Sequence, residues 1–365
     1  MKGIIGITKG HVALTIPPDT PEDEVWRYGL GFPFQVAPQR VGLFCNIRRD
    51  GTRSIDLEIG SDVVLFDDLA DIQADRAIPL SRYEMTASTL TRKGPVLGGF
   101  VPLGAKLEDG SPHPHAGTGF GMGWAIRHTL DETGNYDYRR GTERYAELFQ
   151  FGYDGKEFRV LQKECVKSET LLDEWDLVGN FVTNAIPDGQ DFFYVMVAKI
   201  SDVVVAGVSR WQAGEDGWRP VSFVPVTGEE ATWSEPSLIR DVDGSLLFSA
   251  RSDCSVLPGI AFDAAVWRST DNGETWEQII YRKECRSRSP VSINQAADGT
   301  PFVAANLPPN DRTREVLCYW PLSEDRMEFE ECRIARDLPS EFGPAPSGSW
   351  WRIDHPTSAI VQLKD

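Results

Sequence analysis

What this chain has little of bounds it first. No window approaches the roughly 20 consecutive apolar residues that a membrane-spanning helix needs, so a membrane is not an expected partner. Cations are scarce relative to anions, with 37 Lys and Arg against 55 Asp and Glu and a formal net charge of -18. That balance removes any whole-molecule attraction to phosphate backbones, and nucleic acid is not an expected partner either. Any anionic ligand must then be held by a local group of arginines. The six cysteines (Cys45, Cys165, Cys254, Cys285, Cys318 and Cys332) are scattered without a CxxC pair, which excludes zinc-ribbon spacing and predicts buried free thiols. Nucleotide-binding glycine motifs and a Ser-His-Asp arrangement are not evident, and neither a metal nor a cofactor is expected. The start, MKGIIGITKGHVALTIPPD, is interrupted by Gly, Lys and His before an apolar h-region can form. It does not read as a signal peptide, so a cytoplasmic location is expected, or a secreted or periplasmic one if a leader has been removed. A sustained 3.6-residue apolar period is missing too, apart from a weak stretch near 141–150.

What is present is an internal repeat. The chain has 365 residues, 41% apolar and 10% aromatic, enough to bury a large core in a single domain spanning 1–365. Asp-Gly turns followed by apolar strands recur at Asp188, Asp243 and Asp298, 55 residues apart, and AIVQLKD at the chain end reads as the start of another copy. A second series sets a polar tip before an aromatic, at Phe158, Trp218, Trp276 and Phe329, spaced by 60, 58 and 53 residues. Runs such as DVVVAGVSRW, AAVWRS and REVLCYW lie between the tips and are rich in Val, β-branched and aromatic residues. Two kinds of hairpin tip alternating at one period require four short strands per repeat, which is the blade of an all-β propeller. Chain length divided by the period predicts a six-bladed β-propeller, with seven blades the alternative, built of four-stranded antiparallel blades. The blades are best defined from about 180 to 365, and the first 100 residues carry the period faintly, as at RRDGTRSIDL. The two termini are expected to share a blade and close the ring, which leaves only short sheet edges.

Residues 268–276, RSTDNGETW, contain S-x-D-x-G-x-T-W from Ser269 to Trp276. This string resembles the Asp box of the sialidase superfamily, a turn between the third and fourth strands of a blade. In that family it lies on the rim away from substrate, so its polar residues are expected to lock the turn rather than serve chemistry. A second stretch, WSEPSLIRDVDGSLLFSAR, resembles the sialidase segment in which a Glu opens a blade and an Arg ends its second strand. The resemblance implies that Glu235 polarises a nucleophile and that Arg251 grips a substrate carboxylate, for which a planar guanidinium fork is well suited. PFVAANLPPNDRTREVL resembles the stretch with a further carboxylate-binding arginine, Arg312, with Arg314 as the fallback and Arg268 as a third candidate. The sequence departs from the family in two places: the Arg-Ile-Pro motif is replaced by RAIP at Arg76, and WWRIDHPTSAIVQL has no tyrosine before its last strand. Thr357 stands there, with His355 two residues earlier. The function this implies is an exo-acting glycoside hydrolase on an acidic, carboxylate-bearing glycan.

A second reading comes from GSPHPHAGTGFGMGWAIRH, which holds His113, His115 and His128 in and after a Gly-rich loop. Together with Tyr194 and Arg210 it resembles the set used by propeller polysaccharide lyases, such as those that cleave ulvan, and Arg268 repeats the position of Arg210 one blade on. There His115 or His128 and Tyr194 would move protons while Arg210 neutralises a uronate. The His-x-His pair also has the form of a metal site, but no carboxylate partner accompanies it. A third reading is a non-catalytic glycan-binding propeller. It predicts that the Arg and His residues do not converge, and the 11 tryptophans serve sugar stacking and propeller cores equally well.

Overall fold

A computed structural model describes residues 17, 19–24, 26–49, 58–66, 76–82, 89–93, 96–130, 136–179, 183–200, 203–228, 233–252, 264–282, 291–306 and 315–344. Five antiparallel sheets follow one another along the chain. The first contains β1 (Trp26–Ala37), β2 (Arg40–Arg49), β3 (Glu58–Phe66) and β4 (Arg76–Arg82). The second contains β5 (Thr89–Lys93), β6 (Leu97–Val101), β7 (Thr118–Leu130), β8 (Tyr136–Tyr153) and β9 (Phe158–Lys167). The third contains β10 (Asp176–Gly179), β11 (Ile186–Asp188), β12 (Asp191–Ile200), β13 (Val203–Gly214) and β14 (Gly217–Pro225). The fourth contains β15 (Trp233–Arg240), β16 (Leu246–Ser252), β17 (Ala264–Ser269) and β18 (Glu277–Arg282). The fifth contains β19 (Ser292–Gln295), β20 (Pro301–Asn306), β21 (Val316–Pro321) and β22 (Arg333–Asp337), followed by the short helix α1 (Leu338–Phe342). Each sheet is a meander of four positions. In the second and third sheets the innermost position is filled by two pieces, β5 with β6 and β10 with β11, that pair with different parts of the next strand.

These sheets are the blades of a β-propeller. Both faces of a blade are covered by its neighbours, so the middle strands have no solvent side, and a run such as FFYVMVA (192–198) is buried throughout instead of alternating. One apolar cluster is continuous through the first four blades, and a second joins the fourth to the fifth through Leu247, Val266, Val291, Ile293 and Val303. Between the second and third blades Phe120 stacks on Trp211 at 4.3 Å, with Phe192, Tyr194 and Trp218 edge-on or tilted around Phe120. Burying each such side chain contributes roughly 1.5–3 kcal/mol.

The repeat falls on the blades as its period demands. The Asp-Gly tips join the first and second strands of the third, fourth and fifth blades, and Gly244 and Gly299 take φ of 87° and 85°, where a side chain would be strained. The tips before Phe158, Trp218, Trp276 and Phe329 join the third and fourth strands of the second to fifth blades. Three expectations need correction. The first two blades are fully formed and start at Trp26, well before residue 180, their period hidden by strands of up to 18 residues. RRDGTRSIDL joins β2 to β3 and therefore stands at the wrong turn for the series, and residues 141–150 belong to β8. Five blades are found among the described residues against the six or seven expected; the terminal segments assigned to ring closure, including AIVQLKD, lie outside those residues. Among the described residues Cys45, Cys165, Cys318 and Cys332 form no disulfide; Cys45 and Cys318 are buried as expected, whereas Cys165 is exposed.

The Ser269–Trp276 turn is held by its own atoms. Ser269 Oγ donates to Asp271 Oδ1 at 2.7 Å and accepts from the Gly273 amide at 2.8 Å. Asp271 also accepts from the Thr275 amide at 2.9 Å and from the Thr275 hydroxyl, while Trp276 Nε1 donates to Gly273 O at 3.1 Å. The Thr275 hydroxyl and amide and the Ser269 hydroxyl all favour the ionised carboxylate, which lowers Asp271 from 3.8 to about 2. Because the folded value is depressed, the stabilisation is complete above the unfolded value of 3.8 and is lost as pH falls through about 2. The native chain is therefore expected to show a higher urea midpoint than Asp271→Asn near neutral pH, with the difference closing on acidification; equal midpoints at neutral pH would refute the assignment.

Candidate functional site

Strand direction divides the molecule into two ends. The C-terminal residues of the five inner strands (β1, β6, β11, β15 and β19) line one axial cavity of about 990 Å³, so all the first turns, and with them the third turns, gather at that end. Neighbouring blades are bridged there by short polar contacts. The Leu103 amide donates to Val36 O at 2.9 Å, His113 Nε2 meets Gly189 O at 3.0 Å, Arg240 Nη2 reaches Asp188 at 2.7 Å and Arg326 Nε reaches Asp241 at 2.7 Å. The opposite end carries the connections between second and third strands and between blades.

Glu235 and Arg251 meet at that opposite end. Ser234 of β15 pairs with Arg251 of β16, and a bulge between Ser234 and Ser237 inserts Glu235 into the strand. The bulge places Glu235 at φ 52°, a left-handed backbone that costs a glutamate on the order of 1 kcal/mol and re-aims its side chain. Arg251 Nε lies 3.0 Å from Glu235 Oε2, and the two side chains are only 16% and 12% exposed. Trp233, buried against Trp267 at 4.9 Å, anchors the strand just before the bulge. A carboxylate and a guanidinium so far removed from water compensate each other, and either one alone would be strongly disfavoured.

A second constellation at the same end was not marked by any motif. Tyr28 at the start of β1 donates to Asp62 Oδ2 at 2.5 Å, Arg82 Nη1 donates to Asp62 Oδ1 at 2.6 Å, and Arg82 also pairs with Asp19. Asp62 is fully buried, and that burial raises its carboxyl above the usual range despite the opposing bonds from Arg82 and Tyr28. Burial and then the Asp62 contact also raise the Tyr28 phenol, and burial and Asp62 raise the Cys45 thiol. Tyr28 is thus held as a hydrogen-bond donor. Its partners come from separate strands of one blade, 34 and 20 residues from Asp62, and no local string signals them.

The lyase set is not brought together. Tyr194 pairs with Ser209 while Arg210 pairs with Phe193, so Tyr194 and Arg210 project from opposite faces of the blade. Tyr194 is completely buried among Phe120 and Trp211, which pushes its phenol well above the usual tyrosine value, the reverse of what a tyrosinate base needs. Arg210 lies over Phe193 and is bound to Asp191 at 2.7 Å and Asp188 at 2.9 Å, at the turn end. Arg268 also stands at that end, bound to Asp243 and to Ser245 Oγ at 3.2 Å. Its expected partnership with Arg251 is precluded because the two occupy opposite ends of the fourth blade. His113 is buried with both ring nitrogens engaged: Nδ1 accepts from the His115 amide at 3.1 Å, so Nε2 carries the proton given to Gly189 O. His115 packs edge-on against Trp218 at 5.4 Å. The backbone of His128 pairs with Gly141 in the middle of the second blade, and its side chain lies outside the described part. Arg312, Arg314, His355 and Thr357 lie outside the described residues, and among the described residues no three His, Cys, Asp or Glu side chains are grouped to hold a metal.

No family model matches this chain, and no curated protein matches it in sequence. Solved structures do match in fold. A variant of the NanB sialidase from Streptococcus pneumoniae aligns at TM-score 0.55 and 12% identity over 86% of this chain and 62% of that one. The intramolecular trans-sialidase from Ruminococcus gnavus aligns at 0.54 and 12% over 84% of each chain. A protein of unknown function from Dyadobacter fermentans DSM 18053 aligns at 0.53 and 12%, covering 88% of this chain and 85% of its own. At such identities the likeness is one of fold, and the chain spans less than two thirds of the NanB chain.

The ion pair generates a stability prediction. Arg251→Met is expected to destabilise the chain by about 3 kcal/mol, because it strands the Glu235 carboxylate away from water. Glu235→Gln combined with Arg251→Met should cost less than Arg251→Met alone. Urea unfolding of Arg251→Met, Glu235→Gln and the double variant tests this, and additive effects of the two single changes would refute a direct interaction.

Proposed function

We propose that this chain is a sialidase-like glycoside hydrolase that removes a terminal carboxylate-bearing sugar from an acidic glycan. The observation that carries the reading is the Glu235–Arg251 pair: two oppositely charged side chains, mostly buried, set by a bulged left-handed residue at the end of the blade away from the self-bonded turns. Strain of this kind persists where the surrounding structure over-determines it and is concentrated at functional positions. In this reading Arg251 receives the substrate carboxylate and Arg312, in the β20–β21 connection, completes the clamp. Two guanidinium forks around a carboxylate supply both charge and orientation in a chain whose overall charge repels anions. Glu235 holds the Arg251 guanidinium in place and offers negative charge beside the oxocarbenium-like transition state of glycoside cleavage. His355, outside the described residues, is the ionisable group offered to serve the attacking group.

The test is an assay of sialyl conjugates and uronate polysaccharides side by side, following free acidic sugar and the ultraviolet absorbance of an unsaturated uronate. Release of free sugar is expected, and Arg251→Met should lower kcat/KM by about 100-fold or more, as for loss of a charged clamp on the reacting sugar. Growth of the uronate absorbance without free sugar would overturn the hydrolase reading, and so would silence on every acidic glycoside.

A further inference from the structure

The bulge at Glu235 needs more support than the ion pair gives it. By register Ser234 stands opposite Arg251 and Ser237 opposite Ser249, so Glu235 and Pro236 together face the single residue Ala250. Pro236 has no N–H to give to the ladder, and a residue before proline is normally extended, yet Glu235 is held at φ 52°. Two conditions thus disfavour its backbone, and the surroundings must over-determine it. On the N-terminal side Trp233 is anchored against Trp267 at 4.9 Å. On the C-terminal side the task falls to Ser237, which is fully buried and is the first residue to regain register.

A serine hydroxyl can donate and accept, and Ser237 does both. It donates to Ser249 O at 3.3 Å, two residues before Arg251 on β16, and accepts from the Ile293 amide of β19 at 2.8 Å. Ser249 extends the line outward, its own hydroxyl donating to Ala265 O of β17 at 2.9 Å. The Ser237 hydroxyl therefore joins the strand of Glu235, the strand of Arg251 and the inner strand of the fifth blade. Arg251 Nε lies 3.0 Å from Glu235 Oε2, a separation that a small slip of β15 along β16 would open. We infer that Ser237 is a positioning residue for this pair: its hydroxyl sets where the bulge sits on β16, and so whether the Glu235 carboxylate meets the Arg251 guanidinium. Its consequence for catalysis rests on the acidic-sugar reading above, whereas its consequence for the pair does not. The third blade supplies a comparison in Ser209, which is equally buried. Ser209 donates to Tyr194 O at 2.8 Å and accepts from Trp211 Nε1 at 2.9 Å, both partners being in its own blade.

A double-mutant cycle of Glu235→Gln and Arg251→Met, read by urea unfolding of the full chain, measures the coupling of the pair in the native background, in Ser237→Ala and in Ser209→Ala. Both alanine variants strand one buried donor, the Ile293 amide or Trp211 Nε1, so both lower stability and stability by itself does not separate them. The coupling is expected to fall to about half or less in Ser237→Ala and to be unchanged in Ser209→Ala. Should Ser237→Ala not fold, Ser237→Cys puts a weaker donor and acceptor at the same place, and a fall in coupling is expected there too. In a chain that releases acidic sugar, Ser237→Ala is expected to raise KM about tenfold with a smaller change in kcat, and Ser209→Ala to leave both unchanged. An undiminished coupling in the Ser237 variant that folds, or an equal fall in Ser209→Ala, would overturn the positioning role, as would an unchanged KM in an active Ser237→Ala. A reduced coupling together with silence on every acidic glycoside would sink the hydrolase reading and leave the positioning role standing, so the two failures are distinguishable.

Discussion

A four-stranded sheet that is apolar on both faces cannot be stable by itself, and the rest of this molecule follows from how that constraint is met. Each blade leans its two faces on its neighbours, and the Phe120–Trp211 stack with its ring of aromatics is where the second and third blades are pressed together. Burial on both faces explains why the middle strands are continuously apolar. Polar links near the axis join the innermost strands, such as Ser237 Oγ accepting from the Ile293 amide at 2.8 Å between the fourth and fifth blades. Packing fixes the strands, and the strand ends then have separate tasks.

The turn end is a structural seam. Apart from the extended loop after Val101 its turns are short, several of their carboxylates accept bonds from their own turn amides, and Arg210, Arg240, Arg268 and Arg326 are tied to aspartates of the same or the neighbouring blade. Asn272 of the Ser269–Trp276 turn crosses to Asp188 of the third blade at 3.1 Å and accepts from Arg240 at 3.1 Å, so the turn locks itself and also fastens its neighbour. Such a net of satisfied charges has little capacity to attract a charged ligand. The opposite end bears the bulge at Glu235 and the buried clusters around Arg251 and Asp62, where groups held out of water are strongly polarising.

Much of the architecture was legible because turn chemistry is local. Asp-Gly tips and the Ser269–Trp276 string depend on atoms within five residues of one another, so their spacing reported the blades. The first two blades were obscured for the converse reason: long strands and the extended loop after Val101 displace the period without changing the topology. Histidine clustering misled, since His113 and His115 are close in sequence because they build one loop, and that loop spends them on Gly189 and Trp218. The pairing of Tyr194 with Arg210 failed on strand parity, since neighbours in adjacent register positions face opposite ways. The Tyr28–Asp62–Arg82 cluster left no trace in the string, because its members lie on separate strands.

The sequence by itself determined that the chain is an all-β propeller with four strands per blade and that Ser269–Trp276 is a self-supporting turn. Each of these is a matter of local hydrogen bonding or of period, and such signals survive in one dimension. Only the tertiary structure decided which polar groups are available. It buried Tyr194, consumed Arg210 and Arg268 in ion pairs, and withdrew Glu235 and Arg251 together from water. Burial and partnership depend on which blades meet, and that is set by packing across the whole ring.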